Sequence, residues 1–334
     1  MGLFQSVILR TIKRSLKGLN GEKVPFIAGH KLLYTCNLRC QMCPFWRRPD
    51  EALLTVDEER KMMDSLADFG VSYMGFEGGE PFLRRDLPEI LRESHDRFFT
   101  SVVSNGWMLK DRFREVRDYI DHLFVSIDGI GEVHDRLRGV EGSFEKARQG
   151  IAVASSEIPV SLSSTITSEN TDQVDMIVAF AEEMNVSVSF QIAYNYSTAE
   201  KKSPSQSNLK GAITKLLDLK KNGAPILESK EYFESVINSW YNGIGWKCKP
   251  WLTLNIDPKG RVVLPCYVLN EYAGSQKVWE IDLPKVWNSV NWEQYETCNK
   301  CALSCYLEPS LFNWGDFGMV KEHVIDNVVS YLRG

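Results

Sequence analysis

Long apolar runs and a strong excess of either charge are both missing from this chain. No stretch approaches the ~18 apolar residues that a membrane-spanning helix needs. Lysine plus arginine number 39 against 44 aspartate plus glutamate, and the formal net charge is −5. That balance gives no basis for a nucleic-acid partner. With 43% hydrophobic and 25% charged residues, the composition predicts a soluble, folded protein.

The N-terminus lacks the order of features that marks a secretory signal. In MGLFQSVILRTIKRSLKGL the basic residues follow the short apolar run VIL, whereas a signal peptide places them before a longer one. Export is not expected, and the predicted location is cytoplasmic. On a helix, residues 1–20 would form a basic amphipathic segment. That pattern predicts either peripheral binding to an anionic membrane surface or a helix packed on the bottom or edge of the fold.

Histidine is scarce, and cysteine is absent from the middle of the chain. The five histidines are scattered and form no ligand spacing. Of the eight cysteines, three lie at 36–43, five at 248–305, and none between 44 and 247. Because cytosolic thiols stay reduced, metal binding or catalysis is favoured over a disulfide framework. Two separate cysteine sites are predicted.

Short β-rich runs alternate with helical segments through the first two thirds of the chain. The strand candidates are residues 30–35, 72–77, 100–104, 122–128, 160–166 and 186–192. The clearest helix has a capping box of Thr55 and Glu58 and ends at Gly70. Other helices are predicted to begin near Asp86, Leu109, Ser143, Asn170 and Asn208. This alternation predicts an α/β fold, a partial (βα)6 TIM-like barrel with functional loops after the strand C-termini.

After about residue 230 the sequence changes to short segments rich in Trp, Pro, Gly and Cys. A hairpin is predicted where WLTLNID and RVVLPC flank the turn DPKG. We therefore expect a small C-terminal cysteine-rich α+β extension. The predicted segments are a basic amphipathic segment at 1–24, the barrel at 25–238, the extension at 239–312 and a C-terminal helix at 313–334.

The stretch YTCNLRCQMCPFW places Cys36, Cys40 and Cys43 on the loop after the first predicted strand. Three thiolates can bind three irons of a [4Fe–4S] cube, whose irons normally take four thiolates. One iron would then be open to bind a small molecule. Three buried cysteines, or a zinc site short of one ligand, are the alternatives.

The stretch FEGGEPFL follows the second predicted strand. Gly78 and Gly79 would let a ligand approach the backbone, and Glu80 offers a carboxylate to a cationic amino group. Together, the cysteine triad and this loop resemble the radical S-adenosylmethionine (SAM) superfamily. The resemblance implies that the triad binds the cluster and that the loop, including Pro81, binds the amino group of SAM. The fourth iron would then be bound by the amine and carboxylate of SAM.

The resemblance assigns three further positions near the cluster loop and the third strand. Met42 matches the position that packs on the adenine of SAM. Ser104 and Asn105 correspond to residues at the strand end that contacts the ribose. Read without the resemblance, Ser104 and Asn105 are ordinary turn residues.

A last group of matches follows the fourth strand, in SIDG and HDRLRG. Ser126 and Arg138 are similar to residues that contact the ribose and the methionine carboxylate, and Asp128 accompanies them. Without the resemblance, Asp128 is a helix cap and Arg138 a surface charge. Gln191, Tyr194 and Tyr196 follow the sixth strand and are predicted either to line a substrate cavity or to serve packing.

Five cysteines form the second group: Cys248 and Cys266 flank the predicted hairpin, and CNKCALSC adds Cys298, Cys301 and Cys305. The pattern resembles the SPASM and twitch extensions, which bind auxiliary iron–sulfur clusters. Five thiols are too few for the two clusters of a complete SPASM domain, so the resemblance implies one auxiliary [4Fe–4S] cluster and one spare cysteine. A structural zinc site is the alternative.

The resemblance implies a radical SAM enzyme. Such an enzyme cleaves SAM reductively to a 5′-deoxyadenosyl radical, which attacks a C–H bond or an alkene of the substrate. It needs an external one-electron donor such as flavodoxin or ferredoxin. The substrate is a small molecule, a lipid or isoprenoid, or a peptide; no residue is assigned a catalytic role. The alternatives are a non-catalytic iron–sulfur electron carrier or sensor, and a zinc-stabilised binding module.

Overall fold

The computed structural model describes residues 22–50, 52–238, 246–270 and 272–311. The strands are β1 (Ile27–Lys31), β2 (Tyr73–Glu77), β3 (Phe99–Ser104), β4 (His122–Ser126), β5 (Val160–Ile166), β6 (Ser187–Ile192), β7 (Thr253–Ile256), β8 (Arg261–Leu264) and β9 (Tyr272–Lys277). The predicted membrane-surface segment at 1–20 and the helix at 313–334 lie outside the described residues.

The helices connect these strands and cover one face of the sheet. They are α1 (Val56–Phe69), α2 (Leu87–His95), α3 (Leu109–Arg112), α4 (Glu132–Arg138), α5 (Ser143–Ala154), α6 (Val174–Glu183), α7 (Gln206–Lys221), α8 (Lys230–Asn238), α9 (Leu283–Ser289) and α10 (Ser304–Leu311). Among the described residues, every helix is too short or too polar to span a membrane.

Six parallel strands form the barrel wall in chain order, from β1 to β6. Side chains alternate between the two faces of each strand. Ala28, Met74 and Leu123 belong to the fully buried core under the helices. Within the described residues the sheet stays open, with β6 at one edge and β9 at the other. The predicted partial barrel is confirmed.

The C-terminal hairpin extends this same sheet. β7 pairs in parallel with β1, and β8 and β9 follow antiparallel. Gly260, with φ of +75°, closes the predicted turn as its N–H donates to Asp257 O at 3.0 Å. The predicted hairpin is confirmed. The predicted domain boundary at residue 239 falls outside the described residues and stays a prediction.

Helix α10 lies across the gap between β6 and the β7 side of the sheet. It contacts β6, α8 and the turn at residues 250–252 that precedes β7. Tyr306 Oη donates to Asn255 Oδ1 at 3.2 Å, and Lys249 N donates to Ser310 Oγ at 2.8 Å. The C-terminal segment therefore covers the open side of the barrel.

Helix α1 forms as predicted. Thr55 and Glu58 make the reciprocal bonds of a capping box, and the helix ends at Gly70. Its apolar face includes Met62 and Met63, both fully buried. Burying each such side chain contributes roughly 1.5–3 kcal/mol.

Two predicted boundaries were wrong. The first strand is predicted at 30–35 but occupies Ile27–Lys31, because the chain leaves the sheet after Lys31 and its next carbonyls accept bonds from the loop after β2. Helix α6 starts at Val174 and not near Asn170. The Asn170 amide instead donates to the carbonyl oxygens of Asp128 and Thr165.

Candidate active site

The cysteine triad lies on the loop that follows β1, at the carboxyl end of the barrel. Its thiols surround a small apolar cluster that contains Leu38, Met42 and Leu137. Two backbone bonds join this loop to α4, from Arg39 N to Arg138 O at 3.0 Å and from Gln41 N to Leu137 O at 3.1 Å. Met42, predicted to face adenine, is 9% exposed and belongs to this cluster.

N–H donors approach two of the three sulfur atoms. Cys36 Sγ accepts from Leu38 N at 3.4 Å and from Asn105 Nδ2 at 3.7 Å. Cys40 Sγ accepts from Arg138 Nη1 at 3.8 Å. Burial raises the pKa of Cys40 to about 12, while Arg138 acts to lower it. Such donors stabilise a thiolate, so a metal that displaces the protons would meet a prepared site.

The glycine pair brings the loop after β2 against the triad loop. A Cβ on Gly78 would lie 2.4 Å from Leu33 O, and one on Gly79 would lie 2.0 Å from Thr35 O. Gly79 N donates to Leu33 O at 2.7 Å. The space expected for a ligand is thus occupied by backbone on this side, and the glycines bring the two loops into contact.

Glu80 is buried beneath the loop and joins it to the end of β3. Its Oε1 accepts from Phe82 N and Ser104 Oγ, at 3.1 and 2.9 Å, and its Oε2 accepts from Asn105 N at 2.8 Å. Burial raises the pKa of Glu80 to about 7, against the donors, which favour its charged form. Pro81 opens the short 3-10 turn at 81–83. The structure therefore brings Glu80, Ser104 and Asn105 together beside Cys36.

An ion pair holds the other side of the triad. Arg138 Nε lies 2.7 Å from Asp128 Oδ2, with Asp128 fully buried and the Arg138 side chain 12% exposed. Asp128 Oδ1 also accepts from Thr165 N at 2.7 Å. Ser126 ends β4 and lies opposite Ser163 in the register. Arg138 thus contacts both Asp128 and Cys40 and is not a surface charge.

A buried network that sequence reasoning missed supports both loops. Arg84 Nη1 donates to Glu59 Oε1 at 3.1 Å, and its Nη2 donates to Leu54 O at 2.8 Å. His30 Nε2 lies 3.0 Å from Glu59 Oε2. His30 and Glu59 are fully buried, and Arg84 is 6% exposed. The position of Arg84 directly after GGEPFL is the one signal that could have drawn attention to it.

The C-terminal cysteines converge on the side of the barrel that α10 covers. Burial raises the pKa of Cys248, and Cys301, Cys298 and Cys266 are close enough to raise it further. Burial also raises the pKa of Cys301 to about 12, with added effects of Cys266 and Cys298. Cys305 has a different surrounding: after burial, Glu77 is the largest cause of its raised pKa.

Neither cysteine group has the geometry of a single-ion site. Within the described residues, no three His, Cys, Asp or Glu side chains are arranged to hold one metal ion. A cube places one thiolate on each iron. The fit of a cluster at the triad is supported by the three thiols around one apolar cluster and by the N–H donors at Cys36 and Cys40.

Comparison with known proteins agrees with this geometry. Residues 31–181 match the model of the radical SAM superfamily, and residues 186–325 match a domain of unknown function, DUF3463. Proteins of the first family bind a [4Fe–4S] cluster and SAM. The second match includes all five C-terminal cysteines.

Curated relatives match over different lengths. Fe-coproporphyrin III synthase of Methanosarcina barkeri is 34% identical over 45% of this chain, and the chain spans only 39% of that relative. PqqA peptide cyclase of Granulibacter bethesdensis is 24% identical, over 78% of this chain and 73% of the relative.

Among solved structures, Streptococcus suis SuiB bound to S-adenosylmethionine has a similar fold. Its TM-score is 0.69 at 16% identity, over 84% of this chain and 69% of that chain. The open six-stranded barrel, the triad loop and the family match agree. Residues 31–181 of this chain are a radical SAM domain.

Proposed function

We propose that this chain is an enzyme that cleaves SAM reductively and uses the resulting radical on a substrate inside the barrel. One observation carries the proposal. Two residues hold the triad loop through their side chains, Asn105 at Cys36 and Arg138 at Cys40. The backbone N–H of Asn105 also donates to Glu80, and the Arg138 side chain also pairs with Asp128. One connected site would therefore hold both the cluster and the cofactor through the residues that the resemblance assigns to them.

The residues of this chain have distinct proposed roles. Cys36, Cys40 and Cys43 would hold a [4Fe–4S] cluster, and the loop at 78–81 would bind the methionine amine. Together, the bound cluster and SAM supply one-electron cleavage to a 5′-deoxyadenosyl radical. Arg138, already ion-paired, would orient a carboxylate beside the cluster. Ser104 and Ser126, at the ends of β3 and β4, would contact the ribose.

An auxiliary cluster is proposed for the C-terminal group. Cys248, Cys266, Cys298 and Cys301 supply four thiols that affect one another electrostatically. Cys305, which is closer to Glu77, would then be the spare cysteine. A flavodoxin or ferredoxin would supply the electron. Zinc bound by the same four thiols is distinguished by iron and sulfide analysis.

Peptide modification is the substrate class that one relative supports, since that relative is named a PqqA peptide cyclase. A lipid or isoprenoid substrate rests on the basic segment at 1–20, which lies outside the described residues. Binding of wild-type protein to anionic liposomes, lost on deletion of residues 1–20, would support the lipid alternative.

Iron analysis tests the two sites. Anaerobically reconstituted protein should bind roughly eight irons, and the triple change of Cys36, Cys40 and Cys43 to Ala should leave about four. With dithionite and SAM, the wild type should release 5′-deoxyadenosine and the triple variant should not. If the triple variant keeps all its iron, or if loaded wild type forms no 5′-deoxyadenosine, the proposal is wrong and an electron carrier or zinc module becomes the better assignment.

A further inference from the structure

The inward face of the barrel carries polar groups that the cofactor site does not use. A Cβ on Gly29 would lie 3.7 Å from both Asn255 Oδ1 and Glu77 Oε1. One on Gly75 would lie 3.4 Å from Ser101 Oγ. These five residues therefore share the inward side of β1, β2, β3 and β7. Two glycines there leave room between polar side chains.

The opposite wall has the same character. On β5 and β6, the apolar residues Leu162 and Phe190 belong to the core under the helices. Their neighbours face inward by strand alternation. Gln191 Nε2 donates to Thr165 Oγ1 at 3.1 Å, so these two side chains meet on that inner face. Ser163 lies two residues before Thr165 on the same face. Hydroxyl and amide groups thus form this wall.

One ion pair lies at the carboxyl end of β1 and β2, at the edge of this inner surface. Lys31 Nζ lies 2.9 Å from Glu77 Oε1. The ammonium also lies 3.8 Å from the ring centre of Phe45 and 4.7 Å from that of Tyr267. The Lys31 side chain is 5% exposed, whereas Glu77 is 37% exposed. The positive partner is covered, and the accessible partner is a hydrogen-bond acceptor.

The Lys31–Glu77 pair lies next to the proposed cluster and cofactor loops. Lys31 ends β1, directly before the triad loop, and Glu77 ends β2, directly before Gly78. From the other side, burial and then Glu77 raise the pKa of the Cys305 thiol on α10, so the Glu77 carboxylate lies near that thiol. Glu77 therefore faces the space between the two cysteine groups.

We propose that the part of the substrate that enters the barrel is a hydroxyl- or amine-bearing group, and that Glu77 accepts a hydrogen bond from it and orients it. The inference rests on the function proposed above and names the substrate chemistry of the same site. A hydrocarbon chain in this position would cover the Glu77 carboxylate, which is 37% exposed, without replacing its hydrogen bonds to water, and burying a charged group in this way costs free energy. Both a peptide and the polar headgroup of a lipid carry the proposed chemistry.

Calorimetry on the reconstituted protein, with SAM present and no reductant, tests the assignment. The probes are sorbitol, a Gly-Ser pentapeptide with a free amino terminus, and squalane in detergent micelles. We expect one polar probe to bind, and Glu77→Gln to weaken it about ten- to a hundredfold, as for loss of a charge-assisted bond. The matched control Glu115→Gln changes an exposed carboxylate outside the barrel and should leave binding unchanged.

The outcome also identifies the source of the group. Sorbitol binding indicates a polyol headgroup, and pentapeptide binding indicates a peptide. Gln191→Leu gives a second measurement should Glu77→Gln fail to fold, with an expected loss of about threefold. Binding of squalane, of no probe, or of a polar probe with equal affinity to Glu77→Gln and Gln191→Leu overturns the inference. SAM affinity measured in the same samples separates this result from the proposed function, because absence of SAM binding in the wild type contradicts that function instead.

Discussion

The cysteine triad lies on one loop of eight residues, whereas the C-terminal cysteines come from separate segments between 248 and 305. Around the triad, the protein supplies backbone bonds from α4, N–H donors to two sulfurs and a buried network beneath. At the C-terminal group, burial raises the pKa of both Cys248 and Cys301, and neighbouring cysteines raise it further.

The two cysteine groups therefore differ in which contacts keep their thiols in position. Hydrogen bonds and an ion pair hold the triad loop to neighbouring elements, and none of these contacts requires a metal. The C-terminal group brings distant thiols together, and its geometry would depend on a bound metal to link them. The following experiments test this contrast, from the largest expected effect to the smallest.

Among these changes, Arg84→Met should have the largest effect, a loss of stability caused by disruption of the buried network beneath the triad loop. The change leaves the fully buried Glu59 carboxylate without its guanidinium partner. Loss of one member of a buried ion pair costs about 3–5 kcal/mol. Urea titration measures this loss as a decrease in the free energy of unfolding. Arg60→Met, which removes an arginine with a 42% exposed side chain, should change stability by less than about 1 kcal/mol. Equal losses in the two variants would contradict the importance of the buried network.

Iron removal should affect the C-terminal group far more than the triad loop. Amide exchange in the described residues from 246 onward should become about a hundredfold faster after chelation, equivalent to about 2.7 kcal/mol. Residues 36–47 should change by less than tenfold, because hydrogen bonds hold them without metal. Exchange read by mass spectrometry gives both values in one sample. A larger change at the triad would reverse the contrast.

Glu80→Gln should weaken SAM binding and leave the iron content intact. The amide replaces one carboxylate oxygen with a donor that faces Ser104, Phe82 or Asn105. A loss of roughly 1.5–3 kcal/mol corresponds to about ten- to a hundredfold in affinity. Calorimetry with SAM measures it, and exposed Glu89→Gln is the control. Unchanged affinity would remove Glu80 from the site.

Glu58→Gln tests a contact between helix α1 of the barrel and strand β9 of the C-terminal hairpin. Glu58 caps α1 and forms an ion pair with Lys277 at the end of β9. The Lys277 bond, with the Thr55 backbone, lowers the pKa of Glu58 to about 2. Its stabilisation is therefore complete above pH ~4.5, the ordinary value, and is lost as the pH falls toward about 2. The variant should cost about 1 kcal/mol at pH 7.

Urea unfolding of the metal-free protein at pH 7 and pH 3 tests whether the stabilisation by Glu58 decreases as the pH falls. The difference between wild type and Glu58→Gln should shrink at pH 3, since the wild-type carboxylate has lost part of its advantage. Glu115→Gln serves as the control, because the Glu115 side chain is 45% exposed and lies outside the contact between α1 and β9. A difference that grows toward pH 3 would contradict the assignment.

Local patterns predicted the parts of the fold that depend on nearby residues. The capping box of Thr55 and Glu58 spans four consecutive residues, and the strand–helix alternation repeats along the chain. The start of α6 was wrong because Asn170 bonds to Asp128, which is distant in sequence. The helix predicted near Asn208 begins two residues earlier, where Ser205 supplies the N-cap.

The candidate site divides in the same way. The triad and the glycine loop are motifs of consecutive residues, so both could be found without a structure. The pairing of β7 with β1 and the meeting of Arg84, Glu59 and His30 depend on long-range packing. Nor does the sequence show that Lys31 is covered by Phe45 while Glu77 stays accessible. Contacts between residues that are far apart in sequence produce no local motif, so they could not be predicted.

The pairing of β7 with β1 has a consequence for the order of synthesis. Ile27 of β1 pairs with Thr253 of β7, which lies 226 residues later. At ~5–20 residues per second, a ribosome needs about 10–45 s to make that partner. During this interval one edge of β1 has no strand beside it, and an open strand edge is a template for pairing with other chains. The nascent protein is therefore most prone to aggregation late in its synthesis, after its six barrel strands have already been made.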